Sequence, residues 1–301
     1  PGDHFRTSVH ASSLFTQAVE SLARKCGAGT VVDLGAGEGE LLGELHRRGP
    51  DLELIGVDVA SRPDELPSSI EWAGYLPDDL VDVLVIANEW LDDIPVDVVE
   101  IDETGLPRVV HVDPQSGAER LGSFPGADDL AWLTRWWPLG DAEPGYRGEI
   151  GRGRDEVWAD VIRRIRRGVC VAIDYSHRRA DRPSHGTLTG YQAGRVVAPV
   201  PDGSCDITAH VALDACASAG VDAGAAATLL TTQRDALHAL GLDASLPPRS
   251  LAVNDSPSYL AALSRATEAV ELLEPTGLGA FGWLVQTVGR PLPEVLAGLS
   301  R

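Results

Sequence analysis

Between Thr30 and Gly49 the chain reads TVVDLGAGEGELLGELHRRG, a β-type run, three glycines at alternate positions and then a stretch of helical periodicity. A strand that must turn into a helix over so few residues needs positive φ and close backbone approach. Gly35, Gly37 and Gly39 supply both. Leu41, Leu42 and Leu45 then share one helical face, arginines fill the last turn, and Gly49 is placed to end the helix. The alternation continues with strand-like LELIGVDVA, SIEWAG and LVDVLVIANE, a helix over RDEVWADVIRRIRRG, and GVCVAIDYS, whose apolar run predicts a central strand. The pattern predicts a doubly wound α/β sheet.

The alternation breaks between Pro95 and Gly153, where Pro and Gly punctuate the chain. A β-hairpin, a short helix and a loop are expected there, as an insertion capping the open edge of the sheet. The expected division is 1–95 for the first part of the core with the glycine loop, 96–153 for the insertion, and 154–301 for the remainder. That last part offers strand-like GTLTGY, CDITAHVAL, AATLLTT and FGWLVQTVG, and helices over DACASAG, QRDALHALG and SPSYLAALSRATEAVELL.

Of 301 residues 44% are hydrophobic, enough for one large domain or one domain with an insertion. No run of about 18 uncharged apolar residues exists, which argues against a membrane span. The first residues lack the blocks of a secretory signal, so the cytoplasm is the default expectation. Cys26, Cys170, Cys205 and Cys216 form no CxxC pair, and no metal site is expected. Lys25 is the sole lysine and methionine is absent, a bias that fits a GC-rich bacterial genome. With 45 acidic against 25 basic residues, the net charge of −20 repels nucleic acid and anionic membranes and steers cations inward, besides keeping the chain in solution.

Two ligand classes use a glycine turn of this kind, dinucleotides through GxGxxG and S-adenosylmethionine through (D/E)xGxGxG. Here Asp33 precedes the first glycine by two places, and Glu38 and Glu40 follow. A pyrophosphate would be repelled by these acids, whereas the sulfonium and amino group of S-adenosylmethionine would be attracted. A dinucleotide site and a purely structural turn are the alternatives. Asp58, at the end of the second strand, can bind both ribose hydroxyls in either cofactor class. The fourth strand ends in ANEWLDDIP, which brings Asn88, Glu89, Asp92 and Asp93 toward the ligand crevice. Such carboxylates can orient a cationic nucleophile such as a guanidinium and favour its proton loss, although Asp92 and Asp93 would serve equally to cap a turn.

GDHFRTS, VVDLGAGEGELL, NEWLDDIP, VAIDYS and CDITAHV occur in the order found in the MidA-like methyltransferases, which include mitochondrial complex I assembly-factor enzymes, and the chain resembles that family from Gly2 to about Gly289. The resemblance implies a class I methyltransferase fold, a Rossmann-like doubly wound sheet with an inserted capping region, and S-adenosyl-L-methionine as cofactor. It also implies methylation of a protein or peptide arginine, with a homodimer as a further expected assembly. Carried over by motif, Asp3, Thr7 and Ser8 lie near the cofactor, Asp33, Gly35 and Gly37 cradle it, and Asp58 holds its ribose. Asn88 adjoins both cofactor and reaction, and Glu89, Asp92 and His210 are the catalytic candidates, with Asp206 and Thr208 closing the site. Ala36, Asp58, Asp93 and Ser176 depart from the family's usual proline, glutamate, alanine and glycine. GDHF carries one residue more than the usual GDF, and the customary leading helical segment is missing before Pro1. The rival expectations are a small-molecule or peptide methyltransferase of secondary metabolism and a non-catalytic cofactor-binding assembly protein.

WLTRWW could present Trp132, Trp136 and Trp137 as an aromatic wall for a cation, with core packing as the alternative. The arginines of IRRIRRG are expected in a helix's last turn, where the macrodipole favours them, rather than on nucleic acid. His210 is either a general base or a hydrogen-bonded structural residue. His177 and His185 flank an Arg-rich loop and show no ligand-like partner.

Overall fold

The computed structural model describes residues 8, 12–49, 51–140 and 142–299. Asp3 and Thr7, both expected near the cofactor, lie outside the described residues. The chain divides into two units, one drawn from Arg6–Asn88, Arg164–Ile173 and Ala225–Arg301, the other from Glu89–Arg163 and Asp174–Gly224.

The first unit is built on a seven-stranded sheet. With strands numbered along the chain, these are β1 (Thr30–Leu34), β2 (Glu53–Val57), β3 (Glu71–Ala73), β4 (Leu80–Asn88), β9 (Ile165–Asp174), β15 (Ala227–Thr232) and β16 (Gly282–Val288). Their spatial order is β15-β16-β9-β4-β1-β2-β3. β1 runs parallel to β2 and β4, β2 to β3, and β4 to β9, while β15 is antiparallel to β16. From β1 the chain works outward to β3 and then returns to β4 on the other side of β1. That reversal opens a crevice at the carboxyl ends of β1 and β4. Val31, Val32 and the run Val83 to Ala87 are buried, as is β9 from Val169 onward, so the apolar strand predicted to be central is central.

The helices of this unit follow from local pattern. Ser12 caps Ser13–Cys26 by accepting from the Leu14 amide, and Gly27 ends it in the left-handed region. Phe15, Val19 and Leu22, spaced by four and three, turn one face inward. Glu40–Arg48 buries Leu41, Leu42 and Leu45, the face the sequence predicts. Of the arginines of IRRIRRG, Arg163 lies in the helix's last turn as expected, whereas Arg164, Arg166 and Arg167 lie beyond it, because the strand already begins at Ile165. Carboxylates answer the charge of these three, with Arg164 on Asp78, Arg166 on Asp79 and Arg167 on Asp82.

In the second unit, β5 (Asp97–Ile101), β6 (Pro107–Val112), β7 (Glu119–Leu121) and β8 (Arg147–Ile150) form an antiparallel sheet ordered β7-β6-β5-β8. The predicted hairpin is β5 with β6, its turn fastened by Asp102, which accepts from the amides of Thr104 and Leu106. β7 and β8 go beyond the single hairpin expected there, since β7 is a three-residue exposed strand and β8 pairs with β5 from 47 positions away in sequence. The helix Ala127–Trp136 lays Trp132 and Leu133, followed by Trp137, into a core with Val99 and Ile150. β11 (Thr189–Gln192), β12 (Arg195–Val197) and β13 (Asp206–Thr208) form a small sheet, and β10 (Ser176–His177) pairs in parallel with β14 (Val211–Ala212). The helices Arg152–Arg163 and Leu213–Asp222 pack together. The units therefore differ from a division at 95 and 153. Helix packing and the β10–β14 pair draw Asp174–Gly224 into the unit that contains Glu89–Arg163.

Candidate active site

β1 delivers the glycine turn. Gly35, Gly37 and Gly39 have φ of 78°, 53° and 75°, a conformation that a side chain would strain. Among the described residues a Cβ at Gly37 would meet nothing within 4 Å, so the backbone there lies open to a ligand. Asp58, chosen from sequence independently of the loop, touches it. Its Oδ2 accepts from the Gly37 amide at 2.9 Å, and its Oδ1 accepts from the Ala60 amide at 2.8 Å. Asp33 is buried beneath the turn, and burial, reinforced by the charges of Glu40 and Asp58, pushes its pKa up to about 8. It therefore holds a proton at neutral pH, and the standing charge on the turn comes from the exposed Glu38 and Glu40. This corrects the repulsion attributed to Asp33 from sequence. Ser8 is buried, and its hydroxyl exchanges hydrogen bonds with the side-chain amide of Gln233.

An acid-rich segment follows β4. Asn88 is the strand's last residue, and Glu89 takes φ of 51°, a left-handed conformation that a non-glycine residue adopts at a cost of order 1–3 kcal/mol. Asp92 is buried, and its Oδ2 accepts from the Thr208 hydroxyl at 2.7 Å. Asp174 accepts from the Leu91 amide at 3.0 Å. Burial first, then the neighbouring Asp92 charge, raises Asp174 well above the usual carboxylate range. Asp93 reaches solvent, yet burial of its surroundings, with Asp92 and Asp206 nearby, lifts it to about 7. His210 is half-buried and stacks on Tyr175 with ring centroids 5.4 Å apart. Burial lowers its pKa, so the imidazole is neutral at pH 7.

Asp92, Thr208, Asp206 and His210 are thus gathered in one unit, and Gly35, Gly37, Asp33 and Asp58 in the other. Two charged residues of the acid cluster escape the sequence reading. Arg154 is 2% exposed and donates to the carbonyls of Ile94, Asp92, Ala209 and His210. Glu149 is buried and accepts from the amides of Thr187 and Leu188 and from the Thr187 hydroxyl, while that hydroxyl accepts from the His210 amide at 2.8 Å. A signal for Arg154 exists, since it falls four and eight places before the buried Trp158 and Ile162 and so occupies a core position of its helix.

The tryptophans are packing residues rather than a wall. Trp132 donates from its indole to Asp155 at 2.6 Å, Trp137 is fully buried, and Trp136 lies under Arg135. His177, expected to have no ligand-like partner, packs edge-on against Trp137 and contacts Arg182, and burial followed by that guanidinium pushes it down to about 3. Among the described residues no group of His, Cys, Asp and Glu is arranged to hold a metal ion, and no helix is long and apolar enough to cross a membrane.

Numbered within their own sheet, the seven strands run 6-7-5-4-1-2-3 with the last two antiparallel, whereas a dinucleotide-binding sheet has the order 3-2-1-4-5-6. The open backbone at Gly37, the buried acid below it and the carboxylate beside it fit a cationic, ribose-bearing cofactor. Fold and cradle together define an S-adenosylmethionine-dependent methyltransferase. The chain belongs to the family described as "Putative S-adenosyl-L-methionine-dependent methyltransferase", whose profile matches residues 53–231, more than half of its length. It is also similar to a protein from Burkholderia thailandensis whose crystal structure is bound to S-adenosyl-homocysteine, with 27% identity and a TM-score of 0.78 over 100% of this chain and 83% of that chain. A native crystal structure from the same organism gives 26% identity and a TM-score of 0.78 over 98% of this chain and 84% of that chain. No curated protein matches the chain.

Proposed function

We propose that this methyltransferase acts on the side chain of a protein or peptide arginine, as a MidA-like enzyme. The observation that carries the reading is the pairing of the carboxylate-rich segment Glu89 to Asp93 with Asp206, whose Oδ2 is buried without a hydrogen-bond partner among the described residues. A guanidinium presents five N–H donors in a plane and suits several carboxylates at once. The net charge of −20 favours the approach of such a cation.

In this reading Asp33, Gly35 and Gly37 hold the cofactor, Asp58 its ribose, and Asn88 stands where cofactor and acceptor meet. Ser8, engaged with Gln233, belongs to the frame. S-adenosylmethionine supplies an electrophilic methyl group when bound. Glu89 and Asp92 orient the acceptor nitrogen for in-line attack, and catalysis is mostly positioning and charge complementarity. Asp93, at about 7, is matched to take the proton the acceptor releases. His210, neutral at pH 7, bounds the site from β14's side of the chain. A homodimer is the expected assembly.

Incubation with methyl-labelled S-adenosylmethionine and arginine-containing proteins is expected to yield methylarginine by mass spectrometry. Glu89→Gln is expected to slow transfer about 100-fold with cofactor affinity kept. Unchanged transfer by that variant would remove Glu89 from the reaction, and label found only on small molecules would overturn the acceptor.

A further inference from the structure

We propose that Arg154 is a positioning residue whose guanidinium fixes the acid segment after β4 against the segment 206–210, so that the carboxylates on the two act as one site. Its Nε donates to the Ile94 carbonyl at 2.9 Å and its Nη2 to that of Asp92 at 2.8 Å, while its Nη1 donates to the carbonyls of Ala209 and His210, each at 2.9 Å. Two bonds go to each segment. Asp92 and Thr208 add a side-chain tie between the same segments at 2.7 Å. One tie alone would leave the segments free to pivot about it, and the planar fork removes that freedom.

Packing does not call for a guanidinium here. On this helix face the neighbours are Trp158 and Ile162, and an apolar side chain would continue their surface without the desolvation cost of burying a charge. A lysine could keep the charge but not the four bonds, because an ammonium is a point donor with no planar fork. The fork therefore matters for geometry, and the geometry it sets belongs to Asp92 and Asp206.

The test compares Arg154→Lys and Arg154→Met with the wild type, using the full chain. By hydrogen exchange and mass spectrometry, peptides covering 89–95 and 206–210 are expected to exchange about tenfold faster together in both variants, with the glycine turn unchanged. Binding of S-adenosyl-homocysteine should hold at its wild-type affinity. Transfer to arginine, the arm that rests on the proposed acceptor, should fall about 100-fold in kcat with the cofactor KM unchanged. Thr208→Val, which cuts the side-chain tie and leaves the fork, should loosen the segments less. A folded Arg154→Lys protein that exchanges like wild type at both segments, or loosens only one, overturns the proposal. So does loss of a cooperative melt by both variants, which would make Arg154 a folding determinant. Should the wild type methylate no arginine, the acceptor assignment fails and the exchange result still decides Arg154.

Discussion

The glycine turn and the acid segment each bury a carboxyl group, and they surround it in opposite ways. Asp33 sits under the turn with Glu40 and Asp58 as its charged neighbours and stays protonated up to about pH 8. Asp92 instead accepts from Thr208 and has the Arg154 cation close by. The acid cluster includes the Arg154 cation, whereas the charged neighbours that raise Asp33 are both acidic. Such surroundings suit a ligand that bears a sulfonium and an amino group. The two regions also differ in what holds them. Consecutive backbone and one strand-end carboxylate make the turn, while side chains from four separate stretches make the acid cluster.

The contrast breaks most sharply at Gly37. Its φ of 53° and the open space over its Cβ position make Gly37→Val both strained and obstructive to a ligand. Calorimetric titration with S-adenosylmethionine and S-adenosylhomocysteine should show each affinity falling by more than about 100-fold, the loss of roughly 3 kcal/mol expected when strain and blockage combine. Wild-type affinity in that variant would make the turn a structural one and move the cofactor elsewhere.

Asp33→Asn sharpens the comparison in a smaller way. The folded-state pKa of about 8 lies above the unfolded value, so the native state holds a proton that the unfolded chain releases, and stability falls as pH rises from about 4 to about 8. Each pH unit across that window costs up to about 1.4 kcal/mol. Asparagine cannot ionise. Thermal melts of Asp33→Asn should therefore decline less than those of the wild type between pH 5 and pH 8, with the variant the more stable at the alkaline end. Parallel pH profiles would mean that Asp33 is already ionised and answered by a charge of its own.

This difference in construction governs what can be read without coordinates. The turn lies in one contiguous stretch, so Gly35, Gly37, Gly39 and the capped helix behind them announce themselves, and Asp58 follows from strand length alone. The strand order was legible only in part, because periodicity identifies β15 and β16 as strands but not their antiparallel insertion beside β9. Asp92 and Thr208 stand 116 positions apart, and no local pattern links them. Only the motifs NEWLDDIP and CDITAHV, through the family resemblance, link the two. Arg154 and Glu149 were missed because charged residues in a helix and a strand are ordinarily on the surface. The clue was position, an arginine in phase with Trp158 and Ile162. Within IRRIRRG the expectation holds for Arg163 but not for Arg164, Arg166 and Arg167, since a helix-compatible run gives no sign that Ile165 starts a strand.

The smallest effect tests the match between Asp33 and a cationic cofactor directly. If a cationic cofactor completes the turn, binding must lower the Asp33 pKa, and below about pH 8 a proton must leave as the ligand enters. Affinity for S-adenosylmethionine then rises with pH between 6 and 8 by less than about tenfold per unit, the limit set by one released proton. Calorimetry at pH 7 in buffers of different ionisation enthalpy counts that proton without any acceptor being known. The expected result is release of a sizeable fraction of one proton in the wild type and close to none in Asp33→Asn. An equal count in both proteins would assign the linkage to another group. A count of zero in the wild type would mean that the cofactor's charge is met by Glu38 and Glu40 at the surface, and that Asp33 is neutral with or without ligand.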